Sequence, residues 1–351
     1  MTQLELLLPF AMPPAELARD LLRELKMPSF AMLLARSSRS AQQSSDGFAR
    51  ALPHEYWLAR QFDASATSDF GNSPAIATNV MRSFNLPAET GTWFILQPVH
   101  LHISRDHLVL TDPRQLQLTE SDARALFDIV QPLFAEVGKT LVYGDAQTWF
   151  MRADEWHSLQ TSTSDAACGH NIDIWMPKGP HERDWRRLQN EIQMHWHGHA
   201  INDEREARGL KPINSVWLSG GAEAQKTSNA DTKFEEVFVF SDTRKPFAAL
   251  AAKQIAINSA PDILNEKPQH GLLVLHNLIE PALAGDWSEW LMRFQAMEAL
   301  WFEPLLKALQ EGRLDKLAIT ISHNTACSTY TISKSSLRKF WSKPSLARLA
   351  S

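Results

Sequence analysis

Short apolar runs alternate with amphipathic stretches along the chain. Residues 4–8 (Leu4-Glu5-Leu6-Leu7-Leu8) form an apolar run closed by prolines, and Leu17, Leu21, Leu22 and Leu25 then recur at helical spacing over 15–26. A strand followed by a helix is predicted. Further strands are expected at 140–143, 213–218, 237–240, 272–275, 317–321 and 330–332. Thr119 and Asp122 stand at capping-box spacing ahead of the stripe Leu126, Ile129, Val130, Leu133 and Phe134, which predicts a capped helix. A second helix is expected from Trp185, carrying Leu188, Ile192, His195 and His199 on one stripe and stopping at Gly209. The longest helical pattern covers 287–309, with Trp290, Leu291, Phe294, Met297, Trp301 and Leu305 on one side. Residues 93–103 and 107–110, separated by Ser104-Arg105-Asp106, predict a hairpin, and the Ser- and Gln-rich stretch 36–47 predicts a mobile surface loop.

Strands separated by helices argue for an α/β fold with a mainly parallel central sheet sandwiched by helices and an added antiparallel hairpin or subdomain. We expect one large unit over 1–351 with an embedded subdomain at about 90–180. A content of 44% hydrophobic and 21% charged residues suits a chain that buries a sizeable core. The first apolar run lacks a basic flank and reads as a buried strand rather than a signal peptide, and no apolar stretch reaches transmembrane length. Cys168 and Cys327 are the only cysteines, which points to a reducing, cytoplasmic setting. A net charge of −5 gives no general attraction to nucleic acid or anionic membranes, and no membrane partner is expected. The exception is the basic segment 334–348, where Lys334, Arg338, Lys339, Lys343 and Arg348 surround Phe340 and Trp341. It reads either as a nucleic-acid contact or as a solvated tail.

Candidate chemistry is sparse. His195 and His199, four apart on the expected helix, could share one metal ion, but no Glu follows the first His and a third ligand is missing. His100, His102 and His107 form a second loose group, more simply read as surface strand histidines. No nucleophile elbow, P-loop or dinucleotide fingerprint occurs, and Ser219 lacks the first glycine of an elbow. What stands out is a helix end, turn, strand and glycine-rich exit in which Asn202, Arg205, Arg208, Lys211 and Asn214 supply donors suited to an anion. Ser219, Gly220 and Gly221 lie at the strand end, where α/β sheets place ligands. The same residues also read structurally, with Glu204 and Arg208 as a helical ion pair, Gly209 as a cap and Gly220-Gly221 as a turn. Both readings stay open.

The segments 188–194, 202–209, 212–215 and 217–221, together with Leu7-Leu8-Pro9-Phe10, Leu110-Thr111-Asp112-Pro113, Gly169-His170-Asn171-Ile172-Asp173 and 280–287, carry a family likeness. Over nearly the whole chain the sequence resembles the bacterial RpfE-type regulatory proteins. Through Asn202, Arg205, Gly209, Pro212 and Asn214 it is more distantly similar to archaeal-type cofactor-independent phosphoglycerate mutases of the alkaline phosphatase superfamily. That resemblance implies an α/β sandwich in which two metal ions activate a serine for phosphoryl transfer. The chain departs from it at two places. The first strand runs into Pro9-Phe10-Ala11-Met12-Pro13 instead of an Asp-rich metal motif, and 280–286 contains no histidine where a later metal signature would fall. The expectation is a catalytically degenerate relative without a cofactor or assigned catalytic residue. It would act as a regulatory or partner-binding protein on a protein partner or a phosphorylated small molecule. The alternative is an active manganese- or zinc-dependent phosphomutase or phosphatase with a rearranged ligand set.

Overall fold

The computed structural model describes residues 1–61, 70–224, 234–240, 253–339 and 341–350. The first strands are β1 (Gln3–Leu8) and β2 (Ser38–Ser44), followed by β3 (Thr92–Val99), β4 (Leu101–Ser104), β5 (His107–Leu110), β6 (Thr140–Asp145), β7 (Thr148–Arg152) and β8 (Ser215–Glu223). The chain closes with β9 (Glu236–Phe240), β10 (Gln254–Ile257), β11 (Gly271–Val274), β12 (Lys316–Ser322) and β13 (Ala326–Ser333). Two compact units form, one from Met1–Gly47, Pro53–Asp63 and Ala230–Ser351, the other from Phe48–Leu52 and Ala64–Asn229.

The first unit holds a seven-stranded sheet in the order β10-β9-β11-β1-β12-β13-β2. Its five strands from β10 to β12 run parallel, β13 pairs antiparallel with β12, and β2 pairs antiparallel with β13. Leu4, Leu6, Leu7 and Leu8 of β1 are buried, as a strand covered on both faces requires. The helix Ala15–Glu24 starts directly after Pro13-Pro14. The helix Pro28–Arg36 is capped from a distance: the Glu298 carboxylate accepts from Ser29 N at 2.6 Å and Phe30 N at 3.3 Å. Glu298 opens a π-helical turn, Glu298–Phe302, inside the long pattern expected at 287–309, which runs as Trp287–Met297, that turn, and Glu303–Glu311. Trp290, Phe294, Trp301, Phe302 and Leu305 are buried along it, each such burial contributing roughly 1.5–3 kcal/mol.

The second unit holds an antiparallel four-stranded sheet, β6-β7-β3-β8, and the separate hairpin β4-β5. The helix Glu120–Glu136 packs beside it, with the Thr119 hydroxyl accepting from Asp122 N at 3.1 Å as its spacing predicted. Trp149, Trp185, Trp196 and Trp217 are all buried here, so their part is core packing.

The expected fold class, a mostly parallel sheet flanked by helices plus an antiparallel piece, is what forms. Three local expectations are corrected. Residues 36–47 contain the edge strand β2, paired with β13 from Ser44↔Ala326 to Ser38↔Thr331, instead of a mobile loop. The hairpin expected over 93–110 is confined to 101–110, because β3 pairs with β7 and β8. The single helix expected from Trp185 to Gly209 is two, Glu182–Trp196 and Ala200–Ala207, separated where Gly198 adopts φ +63°. No helix among the described residues is long and apolar enough to cross a membrane.

Candidate functional site

Ligand sites in α/β sheets lie outside the carboxyl ends of the parallel strands. In the first unit that edge is formed by the ends of β1, β11 and β12. Beyond β1, Phe10 is left-handed at φ 57°, a conformation costly for an aromatic residue. Several contacts hold it there. Phe10 N donates to Ser322 Oγ at 3.4 Å, its carbonyl accepts from Trp290 Nε1 at 2.9 Å, and its ring meets His54 edge-on at 5.9 Å. His54 Nδ1 lies 3.4 Å from Ser322 Oγ, and Met12 N donates to the Ser322 carbonyl. Ser322 and His54 are 0% and 3% exposed, so this serine and histidine are walled in by Phe10 and Met12, also buried, and do not meet solvent.

The second stretch marked by the resemblance, 280–286, is likewise engaged. Glu280 pairs with Arg293 at 3.1 Å, and Asp286 Oδ1 accepts from Glu289 N at 3.0 Å as a helix cap. One buried acceptor, Asn277 Oδ1, has no partner among the described residues. A single neutral oxygen close to a guanidinium that also binds the Asn277 carbonyl is no ligand set for a divalent ion. Nearby, burial lowers the pKa of His323, favouring its neutral form, and its Nδ1 accepts from Thr325 N at 3.3 Å. No group of three or more His, Cys, Asp or Glu side chains able to hold a metal occurs among the described residues. The two metal ions implied by the resemblance therefore do not fit the described strand ends.

The donors singled out in sequence lie in the second unit. Arg205 is 0% exposed and uses all three side-chain nitrogens: Nε donates to the Lys211 carbonyl at 3.1 Å, Nη1 to Asp122 Oδ2 at 3.1 Å, and Nη2 to the Leu116 carbonyl. Asn202 Nδ2 donates to the carbonyls of Trp196 and Ile213, while its Oδ1 accepts from Ile213 N at 2.8 Å. Asn214 brackets Leu101, accepting from its N and donating to its O, both at 2.8 Å. Arg208 Nη2 reaches the same Asp122 oxygen at 3.1 Å, and the side chains of Arg208 and Lys211 remain exposed. Ser219 is buried on β8, Gly220 N donates to Ser73 Oγ at 2.9 Å, and a Cβ on Gly221 would stand 2.5 Å from the Phe94 ring. This set stitches the helix Ala200–Ala207 to β8, to the hairpin and to the turn near Leu116.

His195 lies on the helix Glu182–Trp196, whereas His199 lies outside it, just ahead of Ala200–Ala207. His195 Nδ1 meets the Glu191 carbonyl at 2.9 Å, and His199 caps the following helix by accepting from Ile201 N. The basic carboxy-terminal segment is partly tied down. Arg348 donates to the carbonyls of Leu34 and Ser37, and Lys339 to that of Arg36, whereas Lys334, Arg338 and Lys343 stay exposed.

Two features escaped sequence reasoning. Arg114 is held bidentately by Asp165, at 2.7 and 3.0 Å, and by Asp112 at 2.9 Å, a half-buried triad in which Arg114 and Asp165 are 51 residues apart. Burial raises the Asp112 carboxyl above its ordinary value, with Arg114 opposing and Asp165 reinforcing. The thiol of Cys168, in the same neighbourhood, is pushed up to about 12 by burial and is inert as a nucleophile. The other feature is a cleft of about 550 Å³ around Trp156 and Lys139. Its only hint in sequence is the pair of acids, Asp154-Glu155, ahead of Trp156.

No protein-family model and no curated protein matches the chain, and the resemblance to RpfE-type regulatory proteins gains no support from that side. Among solved structures the chain is similar to the cofactor-independent phosphoglycerate mutase from Thermoplasma acidophilum DSM 1728, with a TM-score of 0.48 and 12% identity, across 100% of this chain and 94% of that one. It is also similar to the PH0037 protein from Pyrococcus horikoshii, with a TM-score of 0.50 and 10% identity, across 94% of this chain and 87% of that one. At such identity, the second likeness establishes a shared fold across most of the chain and nothing about activity.

Proposed function

We propose that the chain is a binding protein on a phosphoglycerate-mutase-like scaffold, working without that scaffold's two-metal chemistry and serving a regulatory or partner-binding role in the cytoplasm. One observation carries the reading: beyond β1, where the resemblance calls for carboxylate ligands, Phe10 and Met12 are buried against His54 and Ser322. Apolar side chains there exclude water and offer no charge to a divalent ion. The ligand would be a protein or a phosphorylated metabolite. For an anion, Arg208 and Lys211 are the members of the sequence-predicted set with exposed side chains.

Elemental analysis of the purified full chain, paired with phosphatase and phosphoglycerate mutase assays with and without manganese, tests the reading. The expected result is less than about a tenth of an equivalent of metal and no turnover. Stoichiometric manganese or zinc with metal-dependent turnover would overturn it in favour of an enzyme with a rearranged ligand set.

A further inference from the structure

The cleft in the second unit lies between the end of the helix Glu120–Glu136, the turn Asp154–Trp156 and the exposed side of the helix Glu182–Trp196. Its volume of about 550 Å³ is in the range of small-molecule sites. Leu133, Leu188 and Trp156 give it apolar walls, and Trp156 is fixed from behind by an edge contact with Trp185. Lys139 shows what the Trp156 side of the cleft accepts. Its side chain is 8% exposed, and its ammonium stands 5.1 Å from the Trp156 ring centre and is ion-paired with Glu155. Burial lowers the Lys139 pKa against the pull of Asp184 and Asp154, whereas the solvated rim imposes no such penalty on a second amine.

The rim has charge to spare. Glu136, Glu155, Asp184 and Glu191 face two cations, Lys139 and Arg187, so the lining carries two excess negative charges. Asp184 also meets His181 Nδ1 at 2.7 Å. Asp184, Arg187 and Glu191 share one helix face at spacings of three and four, leaving Arg187 between two acids.

We infer that this cleft binds alkylammonium groups, with the methylene stem along Leu133, Leu188 and Trp156 and the charge at the Asp184 and Glu191 rim. The same chemistry is offered by a free di- or polyamine and by a lysine side chain of a partner. The inference does not depend on the reading of the strand ends, and phosphatase turnover would leave it untouched.

Isothermal titration of the full chain with 1,4-diaminobutane, with the peptide acetyl-Lys-Lys-Lys-amide and with uncharged 1,4-butanediol is the test. We expect saturable one-to-one binding of at least one amine and none of the diol. Binding of the diamine assigns a small-molecule ligand; binding of the peptide alone assigns a partner's lysine. Glu191→Gln, at an exposed position, should weaken binding about fivefold, and Glu16→Gln, an exposed acid of the first unit, should leave it unchanged. No binding of either amine, equal binding of the diol, or equal weakening by both variants would overturn the inference. Unchanged unfolding midpoints of the two variants establish that the comparison is between folded proteins.

Discussion

The two buried polar centres of this protein are built on opposite terms. At the end of β1, Phe10 N and His54 Nδ1 each lie 3.4 Å from Ser322 Oγ, long contacts beside the buried side chains of Phe10 and Met12. Around Arg205, a fully buried guanidinium meets one carboxylate and two carbonyls, and each of its nitrogens has an acceptor. The first centre is filled by the packed side chains of Phe10 and Met12. The second depends on complete satisfaction, because a guanidinium or carboxylate stranded in the interior is expensive. The difference teaches that conspicuous residue types need not mark the place where chemistry was expected. The Asn, Arg, Gly, Pro and Asn pattern lies in a stitched joint, while the strand end where the fold would place a ligand holds a phenylalanine.

Mutation can break this comparison. The largest effect is expected for Arg205→Ala, which leaves the Leu116 and Lys211 carbonyls without this donor and should cost about 3–5 kcal/mol in denaturant unfolding. Arg208→Ala removes an exposed partner of the same Asp122 and should cost less than about 1 kcal/mol. Comparable losses from both would mean that the joint is not organised by burial. At the other centre, Phe10→Ala should cost about 3 kcal/mol through lost packing. Because position 10 is left-handed, Phe10→Gly should be the more stable of the two variants by about 1 kcal/mol. If Phe10→Gly is instead the weaker, backbone strain is not what the neighbouring contacts hold in check.

The smallest effect is a pH slope. The folded-state carboxyl of Asp112 is raised, chiefly by burial, so its contribution to stability is fully present below the unfolded value, roughly 3.9, and is lost as pH rises through the higher folded value. Wild type should therefore gain stability relative to Asp112→Asn as pH falls from about 7 toward about 4. A gain in the opposite direction, measured by urea unfolding, would mean that the pull of Arg114 outweighs burial.

Much of the fold was legible because burial writes itself as pattern. The β1 leucines, the helix after Pro14 and the long stripe from Trp290 to Leu305 all follow from spacing. β2 was not legible. Its residues, Ser38-Arg39-Ser40-Ala41-Gln42-Gln43-Ser44, lie almost wholly exposed, and only backbone pairing with β13 makes them a strand. The helix break at Gly198 had its signal in the glycine, but the stripe of Leu188, Ile192, His195 and His199 runs across it at helical spacing. The joint was half legible: the donors stood together in sequence, while their acceptor, Asp122, lies 83 residues from Arg205. Nothing local announces such a pairing.

The discontinuity of the first unit bears on the order of assembly. Leu4 of β1 pairs with Gly271 and Leu317, and every strand pair of the second unit closes between Thr92 and Glu223. During synthesis at roughly 5–20 residues per second, β1 has no parallel neighbour until some 267 further residues, from 4 to 271, have been made, an interval on the order of 10–50 s. The inserted unit can complete its sheet within that time. The amino-terminal leucines must wait as an unpaired apolar strand, which is the stage at which a nascent chain depends most on chaperones.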